Sequence, residues 1–161
     1  MRTHIAIDID APARSVFDVA RDIRAWPRLL PHYRSVTVRS RNGGELVADM
    51  RAVRSFGPVA FPVSWRSRTW SEEVDAGDLR LRFVHIRGAT RGMDVTWHII
   101  PRGNGCTATI EHEFERELPI VPRDLFPRFV DRVFVRPIAG RTLATFKRLA
   151  ESAAGERGAT S

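Results

Sequence analysis

The sequence predicts an α+β fold: a curved antiparallel sheet of seven strands wrapped on one long C-terminal helix, with two short helices between the first two strands. Three observations lead there. Residues 5–10, IAIDID, alternate apolar and less apolar side chains, the period of a half-buried strand. Six further period-two runs follow residue 33, separated by glycine- and proline-containing turns. From Arg123 onward the apolar spacing becomes helical.

The elements follow in chain order. Ile5, Ile7 and Ile9 form the inward row of the first strand. Pro12 suits a first helical turn, which tolerates a missing N–H, and Val16, Phe17, Ala20 and Ile23 then share one helical face. Trp26 precedes Pro27, and a pre-proline residue is disfavoured in helical geometry, so the helix is expected to break there. Residues 27–30 then form at most one more turn before Pro31.

The strands come next. Val36 and Val38 mark a second strand, with the hairpin turn Gly43–Gly44 behind it. Residues 45–54 alternate through Leu46, Ala48, Met50 and Ala52. After Gly57–Pro58, residues 59–70 alternate through Val59, Phe61, Val63 and Trp65. The turn DAGD at 75–78 leads into Leu79, Leu81, Phe83 and His85, and a loop at 88–92 into Met93, Val95, Trp97 and Ile99. PRGNG at 101–105 turns the chain into Ala108, Ile110, His112 and Phe114. The regular turns read as a meander. Pro119 and Pro122 close the last strand.

In the C-terminal part Phe126, Phe129, Val130, Val133, Phe134, Ile138, Phe146 and Leu149 follow helical spacing, and Pro137 with Gly140 suggests a kink or hinge. The tail 153–161 lacks an apolar face and is expected to be mobile, leaving one domain over residues 1–152.

Composition narrows the function classes. A single cysteine, Cys106, excludes an internal disulfide and accords with a cytoplasmic protein. No apolar run reaches the roughly 20 residues of a membrane span, and the N-terminus lacks the apolar stretch of a secretory signal. Of 26 basic residues only Lys147 is a lysine, and the net charge is +7. The arginines are dispersed and often stand beside acids, as in ERE at 115–117, so the charge reads as a compositional habit and no nucleic-acid partner is expected.

An apolar concave sheet face needs cover, and the only long amphipathic element is the C-terminal helix, so a pocket is expected between them. The layout, together with IDAPARSVFDVARDIRAWPRLLPHYRSVTV, GATRGMDVTWHI and AGRTLATFKRLAE, resembles the START-like (SRPBCC) helix-grip superfamily. Within it the chain is most similar to the polyketide cyclase/dehydrase and coenzyme-Q-binding group. The resemblance covers about residues 3–152. It implies binding of a hydrophobic aromatic, polyketide-like or isoprenoid molecule, with polyketide cyclase or aromatase activity as an alternative. A third option is an interaction module like the ribosome-associated relatives, which requires a contiguous arginine patch. No cofactor is implied, and the assembly is a monomer or homodimer.

Strand parity names the pocket residues. Trp65, Phe83, Met93, Val95, Trp97 and Ile110 from the sheet, with Phe126, Phe129, Val130 and Val133 from the helix, are the expected ligand-binding wall. Trp26 to Tyr33 is expected to close one end. Ser67, Thr69, His85 and His112 are the inward polar groups and the catalytic candidates, each also readable as a core or rim side chain. Arg66, Arg68, Arg80 and Arg82 face outward, and Glu111, Glu113 and Glu115 share that face, together reading as a solvated charge ladder.

Aromatases resembling this chain use an inward arginine on the strand corresponding to 59–70, and here parity turns Arg66 and Arg68 away from the cavity unless a bulge near Trp70 reverses it. Arg51 and Arg54 are further candidates for the cavity mouth. GATRG at 88–92 joins two strands and is no phosphate loop, and His4, His32 and His98 are too scattered for a metal. Cys106 is expected to be a half-buried residue without a catalytic base.

Overall fold

In the computed structural model, which describes residues 1–56, 58–74, 77–115 and 125–158, β1 (Arg2–Ile9) leads to α1 (Ala13–Arg21), a 3₁₀ turn at Ile23–Ala25 and α2 (Trp26–Leu29). β2 (Tyr33–Asn42), β3 (Glu45–Phe56), β4 (Val59–Glu73), β5 (Leu79–Gly88), β6 (Asp94–Arg102) and β7 (Gly105–Glu113) follow. The chain ends in α3 (Leu125–Val130), a π-helical turn (Asp131–Val135) and α4 (Arg136–Gly158). The strands form one antiparallel sheet in the order β1-β7-β6-β5-β4-β3-β2, the expected meander with β1 closing on β7. The turns at 57 and 75–76, the strand closure at Pro119 and Pro122, and the onset of helix at Arg123 lie outside the described residues, as do 159–161.

Alternation works because every second side chain of each strand enters the same core. Ile9, Ala48, Met50, Leu81, Phe83, Trp97, Ile99 and Ile110 are buried on the concave face, where α4 places Leu143 and Phe146. Trp26 is the hub of this core. Its ring lies 5.1 Å from Tyr33, 5.7 Å from Phe83, 5.8 Å from Trp97 and 6.2 Å from Phe146, within the range of favourable aromatic pairs. Its indole Nε1 donates to the Ala20 carbonyl at 2.9 Å.

The helical segments depart from expectation in four places. Pro12 sits at the N-cap, in extended geometry (ψ 136°), one residue before the helix. The break falls at Asp22 (ψ 72°), while Trp26 keeps helical angles (φ −54°, ψ −42°) despite the following proline. The four ring contacts and the hydrogen bond to Ala20 outweigh the local pre-proline preference. Irregularity near Pro137 lies one turn upstream of the expected kink, as the π turn. Pro137 has no N–H to offer the Val133 carbonyl four residues earlier, and Arg54 Nε supplies that donor at 2.9 Å. Finally, α4 runs through Gly158, so the domain boundary expected at residue 152 falls inside a helix.

β-bulges shape the β2–β5 end of the sheet. Apart from the register shift between Tyr33 and Ser35 at the start of β2, one sits between Val38 and Ser40, and a second between Arg66 and Ser67 of β4, where β5 carries Ile86 as the extra residue. Gly88, at φ +98°, closes that second bulge, and a side-chain carbon there would lie 2.6 Å from the Ser64 carbonyl oxygen. No bulge occurs at Trp70, so β4 keeps its alternation throughout.

Candidate functional site

A cavity of about 270 Å³ lies between the concave face and the C-terminal helical segments. Its sheet wall includes Met50, Trp65, Phe83, Val95, Trp97 and Ile110, and Met93 reaches it from the end of the β5–β6 loop. Phe126, Phe129, Val130, Phe134, Val135 and Ile138 form the opposite wall. Trp26 and Tyr33, from the segment expected at one end, are part of the lining. Phe129 lines the cavity and is still 53% exposed, so the cavity reaches solvent beside it.

Nine of the ten residues expected in the wall are there, and Val133 is not. The reason is the π turn. A run of i→i+5 hydrogen bonds delays the helical face by one residue, bringing in Phe134 and Val135 where a 3.6-residue period would bring Val133. Val133 contributes its carbonyl to Arg54 instead. Met50 and Thr142 are wall residues that the expected set omits. Met50 could have been found by carrying the parity of β3, on which it is an inward residue, into the cavity.

The four polar candidates separate into two pairs. Ser67 and Thr69 are buried among the strands and do not line the cavity, and the Ser67 hydroxyl is turned to the Val84 carbonyl at 3.3 Å. His85 and His112 both line it. The His85 ring stacks on Trp65 (5.5 Å, 24°), and its Nδ1 lies 2.7 Å from the Thr90 hydroxyl. His112 is buried, and its Nδ1 has no hydrogen-bond partner among the described residues.

Burial dominates the protonation of both. It lowers His85 to about 3, helped by the neighbouring His112, and lowers His112 to about 4 against a small opposing pull from Asp131. Both are therefore neutral imidazoles at pH 7, able to accept a proton. Burial pushes the Tyr33 phenol up, so it stays protonated as a hydrogen-bond donor. His32 is held down at about 4 by burial and then Arg141. Its Nε2 lies 2.9 Å from Thr142 Oγ, whose own hydrogen goes to the Ile138 carbonyl, so Nε2 carries the proton.

Beside His112 in the register stands Thr3, whose hydroxyl donates to Asp131 of the π turn, and Asp131 also accepts from Arg136 Nε at 2.9 Å. This chain of polar groups ties the cavity's polar end to the irregular turn.

The arginines follow their parity. Arg66 makes a two-point contact with Asp49 on the outer face (2.6 and 3.0 Å), and Arg68 lies beside Glu45 there. Arg51 also faces outward, opposite Ser64. Arg54 is the one of these four on the concave side, and it is engaged by Val133. Cys106 is fully buried rather than half-buried, its thiol raised to about 11 by burial and then Asp8, which makes it unreactive. Among the described residues no three histidine, cysteine or acidic side chains gather as a metal would need, and no helix is long and apolar enough to cross a membrane.

Residues 9–139 match the family model described as polyketide cyclase/dehydrase and lipid transport. The chain belongs to this family. Its fold recurs in solved structures of low identity. The Thermus thermophilus protein TTHA0849 shares 22% identity, with a TM-score of 0.76 over 95% of this chain and 99% of that one. The Zhui aromatase/cyclase of Streptomyces sp. R1128 shares 16%, with 0.75 over 94% and 93%. Norcoclaurine synthase of Thalictrum flavum shares 15%, with 0.66 over 96% of each chain. Such identities establish the shared helix-grip fold alone. No curated protein matches the sequence. Within this polyketide cyclase/dehydrase and lipid transport family, the present chain places two neutral histidines and, among the described residues, no arginine on its cavity wall.

Proposed function

We propose that this protein binds a compact, planar, mostly apolar molecule, aromatic or polyketide-like, between its sheet and C-terminal helix. The cavity carries the reading: its walls are aromatic and aliphatic, and few polar groups punctuate them. A volume of 270 Å³ holds roughly nine waters at about 30 Å³ each, the scale of one or two fused rings rather than a whole isoprenoid quinone. Trp26, Trp65 and Trp97 give flat surfaces against which rings pack. A naphthol-type probe should quench tryptophan fluorescence saturably, and Trp97→Ala should abolish the response. Lack of saturable quenching by any one- or two-ring compound, with no apolar compound extractable from purified protein, would refute binding.

One observation favours a second reading, cyclisation chemistry: a buried histidine nitrogen without a partner, on the cavity wall. A neutral imidazole there can take a proton from a methylene flanked by two carbonyls. The enolate carbon then adds to a ketone of the same chain, and the resulting alkoxide takes the proton back. The Tyr33 phenol is a donor able to hold the enolate oxygen, a role a buried cation would otherwise fill. His112→Ala and His85→Ala should then change the product pattern of a co-expressed polyketide synthase. An unchanged pattern in both, with both variants folded, leaves the binding function alone.

Most of the outer sheet face supports a small-molecule rather than a nucleic-acid partner. Arg2 with Glu113, Arg80 with Asp78 and Arg68 with Glu45 interleave their charges.

A further inference from the structure

One stretch of the outer face breaks that interleaving. A groove of about 370 Å³ runs across β2 to β5, and Arg39, Arg51, Arg66 and Arg87 line it with, among the described residues, a single carboxylate, Asp49. The register explains the crowding. Thr37, Asp49, Arg66 and Arg87 are successive cross-strand neighbours, a row about 14 Å long at the usual strand spacing.

The two β-bulges create it. Arg39 is the residue passed over between Val38 and Ser40, and the extra Ile86 sets Arg87 directly opposite Arg66. An arginine facing an arginine across a strand pair repels it, an arrangement a purely structural charge ladder avoids. Asp49 offsets only part of this. It is taken by Arg66 and by Arg39 at 2.6 Å, and it fixes both guanidinium groups in place. Arg51 and Arg87 are exposed and have no ion-pair partner among the described residues.

We propose that this groove is an oxyanion site that takes the phosphate or diphosphate group of a phosphorylated ligand. The forks of Arg51 and Arg87, the N–H groups that Asp49 leaves free on Arg39 and Arg66, and the hydroxyls of Thr37 and Ser64 provide the donors such a group needs, and a guanidinium fork matches phosphate geometry two bonds at a time. The groove is too short to follow a nucleic-acid backbone, and it shares Met50, Ser64 and Trp65 with the cavity wall. A phosphate seated here thus lies against the back of the hydrophobic site. The site stands independently of what the cavity holds.

The test is calorimetric titration with sodium pyrophosphate at constant ionic strength, on the full chain and on Arg87→Gln, Arg51→Gln and the control Arg24→Gln, another exposed arginine without a described partner. Saturable binding is expected in the unaltered protein, weakened about tenfold or more in Arg87→Gln and Arg51→Gln and unchanged in Arg24→Gln. Vesicles of phosphatidylcholine with and without phosphatidic acid tell the source. Competition by phosphatidic acid identifies a lipid headgroup, and its absence a soluble phosphorylated compound. Without pyrophosphate, Arg87→Gln should raise the unfolding midpoint, because it removes the like-charge pair, whereas a merely structural Arg87 predicts a fall. No saturable pyrophosphate binding, an equal loss in Arg24→Gln, or binding of single-stranded RNA that pyrophosphate does not displace would overturn the proposal.

Discussion

Replacing His112 with leucine should make the protein more stable, although it removes a buried residue from the cavity wall. The His112 Nδ1 is fully enclosed without a partner, and a buried polar atom left unpaired costs about 1–3 kcal/mol. Leucine has nearly the volume of histidine and carries no such atom, so at pH 8 the variant should gain on the order of 1–2 kcal/mol. Acid widens the gap. The folded histidine titrates at about 4 and the unfolded one near 6.5, so the unfolded chain takes up the proton first. Its contribution is intact above pH 6.5 and is lost as pH falls toward 4. Between pH 8 and pH 5 the unaltered protein should lose about 2 kcal/mol through this residue alone, a loss the leucine variant escapes. Urea unfolding at both pH values measures the two effects. A variant less stable by more than about 1 kcal/mol at pH 8, with an unchanged pH slope, would show that Nδ1 is satisfied in solution.

Thr142→Val keeps the shape but leaves the His32 Nε2–H unpaired, and should cost about 1–3 kcal/mol in urea unfolding. Gly88→Ala forces a side chain into left-handed geometry and against the Ser64 carbonyl, so the thermal midpoint should drop by an amount equivalent to about 2 kcal/mol or more. Pro137→Ala restores the N–H that the Val133 carbonyl lacks and should convert the π turn to regular α-helix, rotating Phe134 and Val135 off the cavity. Affinity for a naphthol-type probe should fall severalfold with little change in stability, and an unchanged affinity would mean the turn persists for another reason.

The sheet is legible in the sequence because its period is two and its two faces differ in chemistry. With Trp65, Phe83, Trp97 and Ile110 inward, the outward placement of Arg66 and Arg68 follows, and the structure keeps it because the nearby bulge belongs to β5 and leaves β4 undisturbed. What stays hidden depends on contacts remote in sequence. Trp26 remains helical before a proline only because Tyr33, Phe83, Trp97 and Phe146 surround its ring. Val133 leaves the wall because Arg54, 79 residues away, accommodates a π turn. The bulges that set Arg39 and Arg87 in one groove have no reliable marker in a strand's own residues. An orphaned nitrogen is likewise invisible in sequence, since the absence of a partner is a property of the packed interior.

These hidden features fall at the places where the molecule departs from its most stable packing. An apolar residue at position 112 would fill the wall without stranding a polar atom, and a regular helix would need no arginine to complete it. A carboxylate at position 87 would pair with Arg66 instead of repelling it. Each departure costs stability locally, and two of them border the cavity while the third lies against its back wall. The other orphaned atom among the described residues, Asp78 Oδ1, lies on the outer face beside Arg80 and His98, so it is the apolar wall around His112, rather than the mere presence of an unpaired group, that marks the cavity as the place where a ligand would relieve the cost.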